Sequence, residues 1–392
     1  MNNIEIYQRQ YGGAFLYGGA FGGAFGGAFG GAFGGAFGGA FGGAFGGAFG
    51  GAFGGVSPVA ADALRKSRDS LVQLADTAVF GPASPDFPTH DDDATKDVRN
   101  RLRHWATGVG PALALPALLC PLGFALPAPL ASDKTRPKDW VTLTLGGTPA
   151  LKLNRPTPAK FADEFVGELS GVIADAELRE DRASEILMQI GDVGSFFAAA
   201  LPLTPAQTPA TWTLIMIAQQ LALMVHMRFK HEFACARPSE YTPQVQPMIP
   251  TPGHGSYPMG HMCEAQVAVE ILTKLLTPAA GAPAPPTAFG SLQNQLNGIA
   301  NRVGDNRIIA GVHFPVDKGA GKALGIWIGE YFVDVCKTAS GGKLPKRKLQ
   351  DFDPVTGSIT PRGNEFEHEV TDINQALNEI WKDARDEWAK FR

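Results

Sequence analysis

Residues 307–317 read RIIAGVHFPVD and set three functional side chains at fixed spacing: Arg307, His313 and Asp317. Gly311 comes shortly before the histidine and Pro315 shortly after it. Proline suits the first position of a helix. The spacing therefore predicts a helix from Pro315, with Asp317 in its first turn, where an acid is favoured. From that turn a carboxylate reaches back to His313 and fixes its tautomer. Arg307 lies across the Ala310-Gly311 pair, and its planar fork of donors suits a tetrahedral oxyanion. The helix is expected to run to residue 337, with Gly321, Gly325 and Gly329 on one face, open to close approach by a neighbour.

Outward from this helix, apolar periodicity predicts helices over 291–303, 261–276, 211–233, 183–200 and 161–175. The 211–233 segment is apolar nearly all round and is expected at the centre. Toward the C-terminus, a short hairpin is expected around 355–361. A last amphipathic helix follows, capped by Thr371, with Ile373, Leu377, Ile380, Trp381 and Trp388 as its stripe. On the other side, residues 141–145 (VTLTL) read as one short strand ended by Gly146-Gly147. Residues 60–76 read as a helix and 80–93 as a loop, where the HDDD at 90–93 is a solvated turn. The expected fold class is all-α, a helical bundle with minor short strands.

Composition narrows the partners. The chain has 392 residues and a net charge of −4, which argues for neither nucleic acid nor an anionic membrane. Its four cysteines, Cys120, Cys235, Cys263 and Cys336, form no CxxC pair and read as buried free thiols. Residues 1–10 (MNNIEIYQRQ) lack the pattern of a secretory signal, so a cytoplasmic location is expected. The apolar run 111–131 carries prolines at 111, 116, 121, 127 and 129, which disfavour a spanning helix. Gln219 and Gln220 interrupt the apolar run 211–225, which reads as a core helix, and no membrane is expected. Over residues 18–53 the tetrapeptide GGAF occurs nine times without a mismatch. It reads as a flexible low-complexity tail, or as a self-association segment in which phenylalanines stack between chains. It carries no acid, base or metal ligand.

Further cations surround the opening stretch. Lys230 falls near the end of the central helix and Arg237-Pro238 follows, giving Lys-x6-Arg-Pro. Pro238 disfavours helix at Arg237, so that side chain can turn into a pocket. A proline- and glycine-rich loop with His254 then ends in Pro258-Met259-Gly260-His261 and leads into a helix. Free N–H groups at such a start bind anions, and Gly260 permits close approach. Three cations, a helix N-terminus and the histidines describe a cage for phosphate or vanadate, with one nitrogen for an axial bond and one for proton transfer.

This arrangement resembles the shared signature of vanadium-dependent haloperoxidases and type 2 phosphatidic acid phosphatases. That pattern is Lys-x6-Arg-Pro, then Pro-Ser-Gly-His, then Ser-Arg-x5-His-x3-Asp. The match covers 230–317 by motif and about 160–340 by helical layout, and is nearest to the soluble haloperoxidases. The resemblance implies vanadate as cofactor, with phosphate as a competing occupant and His313 as the axial metal ligand. Lys230, Arg237, Arg307 and the Gly260 amide would hold the equatorial oxygens. His261 would be the acid–base, Lys230 would also polarise peroxide, and Asp317 would orient His313. His254 stands where bromide-oxidising members have histidine. Met259 replaces the serine of the pattern, and a thioether cannot donate to an oxyanion. Losing a hydrogen bond to a charged acceptor costs roughly 1.5–3 kcal/mol, about ten- to a hundredfold in affinity. Asn306 replaces the second serine and can still donate.

The implied organisation is a GGAF-repeat tail (1–55), an N-terminal helical and irregular part (56–157), a catalytic helical bundle (158–345), and a C-terminal hairpin and helix packing on it (346–392). The implied activity is a haloperoxidase taking a halide (bromide or iodide favoured), hydrogen peroxide and a small organic substrate, in a homo-oligomer aided by the GGAF repeat. Two alternatives stand: a phosphatase of the same scaffold acting through a phosphohistidine at His313, and a catalytically weakened assembly protein built around GGAF.

Overall fold

The structure is a computed structural model, and it describes residues 109–127, 139–156, 162–191, 193–204, 207–277, 287–338, 342–369 and 374–389. The GGAF segment, the helix expected over 60–76, the loop over 80–93 and the Thr371 cap all lie outside the described residues. In chain order the main elements are α1 (Val109–Leu119), β1 (Leu122–Ala125), β2 (Trp140–Leu145), β3 (Thr148–Asn154), α2 (Ala162–Ala174), α3 (Arg179–Met188), α4 (Pro209–Phe233), α5 (Gly260–Leu276), α6 (Thr287–Ile309), α7 (Pro315–Lys337), β4 (Arg347–Phe352), β5 (Ile359–Phe366) and α8 (Asn374–Glu387).

The all-α expectation does not hold. The strands form one five-stranded mixed sheet in the order β1-β2-β3-β4-β5, so the fold is mixed α/β. β1–β2, β2–β3 and β4–β5 pair antiparallel, whereas β3 and β4 run parallel, with Leu151 opposite Gln350 and Leu153 opposite Phe352. The expected strand VTLTL is the well-buried β2, the hairpin expected around 355–361 is the turn between β4 and β5, and the Gly146-Gly147 turn with positive φ sends the chain into β3. β1 comes from the proline-rich run, which splits into α1 and this strand instead of one long apolar segment. β4 (RKLQDF) shows little apolar alternation; its partner β3 lies about two hundred residues earlier, a pairing no local pattern announces.

α5 is the centre of the helical layer. It is buried along almost its whole length and packs against α4, α6 and α7. Its contact with α7 is the closest, because the expected glycine face is real. A methyl on Gly325 would fall 2.6 Å from the Cys263 carbonyl oxygen, and one on Gly329 would fall 2.6 Å from Glu270 Cβ. α7 starts at Pro315 and ends at Lys337, the bounds its sequence predicts. α6 is longer at both ends than its periodic stretch. Residues 183–200 form no single helix: α3 starts earlier and ends at Met188, and a short turn, Gly194–Phe197, follows. Among the described residues only Pro209–Tyr241 is long and apolar enough to cross a membrane, and just over half of it is buried within the fold, chiefly against α5 and α8.

The N-terminus of α4 is capped from a distance. Glu387, the last residue of α8, accepts from the Ala210 N–H (2.7 Å) through Oε1 and from the Thr211 N–H (2.9 Å) and hydroxyl (2.6 Å) through Oε2. A carboxylate there satisfies free donors and opposes the positive helix end. Glu387→Ala is expected to cost about 2 kcal/mol and lower the thermal midpoint by roughly 5 °C, read by calorimetry.

Candidate active site

Three breaks in helical structure bring the cations together. α4 ends at Ala234, whose φ of 45° and N–H bond to the Lys230 carbonyl close the helix. Arg237 then adopts an extended backbone in front of Pro238, as the residue before a proline favours. The second break is the start of α5 at Gly260. The third is the turn after α6, where Gly311 has a φ of 80° and any Cβ would strike the Arg179 guanidinium at 2.7 Å. Only glycine satisfies both demands.

Lys230, His254, Gly260, His261, Arg307 and His313 line one small cavity, with Ile249, Pro252 and Val312 as its apolar wall. His313 is held from both sides. Its Nδ1 faces Asp317 Oδ2 at 2.9 Å and its Nε2 faces Arg237 Nη1 at 2.9 Å. The carboxylate assigns the proton to Nδ1, so the Nε2 lone pair accepts from the guanidinium. Asp317 Oδ2 also accepts from the Phe314 N–H at 2.9 Å. Burial pushes the Asp317 carboxyl up to about 6, against the pull of that amide, Lys230 and Arg237.

The cations differ in how far they are already engaged. Arg237 donates to the carbonyls of Val312 (2.6 Å) and His254 (3.1 Å from Nη2) as well as to His313. Lys230 Nζ donates to the Gly255 (3.0 Å) and Ser256 (2.8 Å) carbonyls, and burial with Arg237 nearby holds its ammonium well below the usual lysine range. Arg307 makes one bond, Nη2 to the Ile186 carbonyl at 2.6 Å, and its Nε and Nη1 have no partner. Burial lowers that guanidinium to about 9. His254 and His261 each leave Nε2 unpartnered. Burial lowers both to about 3, helped by Lys230 at His254 and by Arg307 and Lys230 at His261. Both rings are therefore neutral at pH 7.

Met259 and Asn306 are placed outside this wall. Met259 is fully buried, with its Cβ toward Gly321 of α7, and is not among the lining residues. Asn306 Nδ2 donates to Glu185 (3.0 Å) and Gln189 (2.9 Å), so its amide ties α6 to α3. Two features escaped the sequence reading. Glu168 on α2 has its carboxyl raised by burial to about 7 and holds the backbone of Val316 at the start of α7. His226 and Glu264 form a buried pair behind Gly260. Each is one polar residue among several in its helix, and only packing reveals its partner.

The donor set decides what fits. Among the described residues no group of three or more His, Cys, Asp or Glu is arranged to hold a bare metal ion. The cavity instead presents nitrogen donors, two of them unpartnered on one guanidinium, beside an imidazole with a fixed tautomer. Such a set suits an anion with several oxygens, vanadate or phosphate. A guest bonded to His313 Nε2 would replace the Arg237 hydrogen bond. Searches against protein-family models and curated proteins find no match to this chain.

Proposed function

We propose that this protein is a vanadate-dependent haloperoxidase that uses hydrogen peroxide to oxidise a halide, with bromide or iodide favoured, to hypohalous acid. The observation that carries the reading is the unpartnered Nε and Nη1 of buried Arg307, facing one cavity with His261 Nε2 and the Asp317-oriented His313. Buried donors without partners are costly, and a built anion site explains why they persist. Vanadate bound there would supply Lewis-acid activation of peroxide at a constant oxidation state.

The chain's own residues do the rest. His313 presents Nε2, and Asp317 keeps that nitrogen free of a proton. Arg307 would donate to the anion from an open nitrogen, Lys230 would add its charge from the same lining, and Arg237, bonded to His313, would add positive charge nearby. The Gly260 amide adds a donor at the start of α5. His261 is neutral without an anion, because burial first, and then Arg307 and Lys230, disfavour its charged form. A bound anion would offset the part due to the cations, and the ring would then hold a proton at one of the anion's oxygens and return it. His254, with its Nε2 unpartnered at the cavity, would be the group to meet a halide.

The test is bromination of a phenol dye by peroxide after vanadate loading, set beside hydrolysis of an aryl phosphate. Bromination that requires vanadate is expected. Aryl phosphate turnover alone would replace this reading with a phosphatase using His313 as nucleophile. Neither activity, with vanadate bound, would end both.

A further inference from the structure

Among the described residues Arg307 has a single hydrogen-bond partner, and the end of α3 supplies it. α3 stops at Met188, and the Ile190 N–H, four residues beyond Ile186, goes to the Leu187 carbonyl at 3.3 Å. The Ile186 carbonyl is thus one of the last in its helix, where the backbone offers no donor further along. Arg307 Nη2 takes it at 2.6 Å, and Nε and Nη1 stay open. The direction of the guanidinium therefore depends on where that one carbonyl sits.

Two side chains flanking Ile186 fix its place. Glu185 Oε2 and Gln189 Oε1 both accept from Asn306 Nδ2, at 3.0 and 2.9 Å. Asn306 Oδ1 accepts from Arg182 Nη1 at 3.3 Å, and Glu185 Oε2 also accepts from Arg302 Nε at 2.7 Å. Asn306 is fully buried, directly precedes Arg307 on α6, and is not among the residues that line the cavity. Its amide holds α3 on both sides of the carbonyl that Arg307 uses.

We propose that Asn306 is a positioning residue for anion binding: it fixes the Ile186 carbonyl, presets the Arg307 guanidinium through it, and does not itself touch the anion. The proposal rests on the anion-site reading. An arginine side chain has much rotamer freedom, and an anion that must order a loose guanidinium binds more weakly by the entropy lost. With one arm of the fork anchored, that ordering is complete before the anion arrives. Lysine would gain little from such an anchor, because its ammonium is a point charge with rotatable donors.

A double-mutant cycle on vanadate affinity separates positioning from general support of the fold. Asn306→Ala is expected to weaken binding about tenfold beside Arg307, and less than about twofold in the Arg307→Lys background, which keeps the positive charge and with it measurable affinity. A purely structural role predicts the same fold-loss in both backgrounds, because loosening α3 from α6 disturbs the cavity whichever cation stands at 307. Glu185→Ala is the second variant. Its side chain is 24% exposed, so it carries the test if Asn306→Ala does not fold, and it should show the same inequality with a smaller loss. Equal losses in the two backgrounds, or no loss beside Arg307, overturn the positioning role and leave the anion site standing. An unmodified protein that binds neither vanadate nor phosphate overturns both.

Discussion

Replacing His313 by alanine is expected to weaken vanadate binding by about a hundredfold, or about 2.7 kcal/mol, with the helices intact. The loss is specific because His313 Nε2 is the one imidazole nitrogen in the cavity whose lone pair is set by a carboxylate on the other side of the ring. The neighbours keep enough partners to hold their places. Asp317 still accepts from the Phe314 N–H, and Arg237 still donates to the Val312 and His254 carbonyls. Equilibrium dialysis with circular dichroism reads both quantities. Phosphate affinity should fall less than vanadate affinity, since phosphate is held by charge and hydrogen bonds alone. Equal losses for the two ions would mean that no bond forms at Nε2.

Gly321→Ala is expected to be the most disruptive single methyl in the helical layer. The new Cβ would overlap the Met259 carbonyl oxygen and lie 3.2 Å from Met259 Cβ, where α7 crosses the start of α5. Backbone cannot step aside as a side-chain tip can, so the helices must separate. The cost is about 3 kcal/mol, a thermal midpoint lower by roughly 10 °C. Because Met259 directly precedes Gly260 and itself donates from N–H to the Asp317 carbonyl at 2.9 Å, the shift also moves the turn proposed to hold the anion. Phosphate affinity should therefore fall along with stability. Gly298→Ala on α6 is the control, since nothing lies within 4 Å of the added methyl and alanine is the better helix former. Thermal melts of the two variants that coincide would refute the close-approach argument.

Much of the helical layer was legible because its signals are local. Pro315 and Asp317 start α7, glycines mark the face it packs with, and proline after Arg237 releases that side chain from the helix. The spacing of His313 and Asp317 likewise falls within one turn, so their contact follows from geometry that a few residues determine. The sheet was legible only in pieces, β2 and the hairpin of β4 and β5, and not as one sheet. β4 joins β3 across most of the chain, and neither the polar run RKLQDF nor the proline-rich approach to β1 carries a strand-like alternation.

What the sequence by itself determined is the order and spacing of the chemistry: Lys230 and Arg237 across a helix end, Gly260 and His261 at a helix start, and Arg307 before His313 and Asp317. Only the tertiary structure decided which of those groups remain available. It engages Lys230 with carbonyls, gives Arg237 to His313, ties Asn306 to Glu185 and Gln189, turns Met259 toward α7 and leaves two nitrogens of Arg307 open. Hydrogen-bond partners for buried groups come from whichever backbone lies within about 3 Å, and that is settled by packing between distant segments.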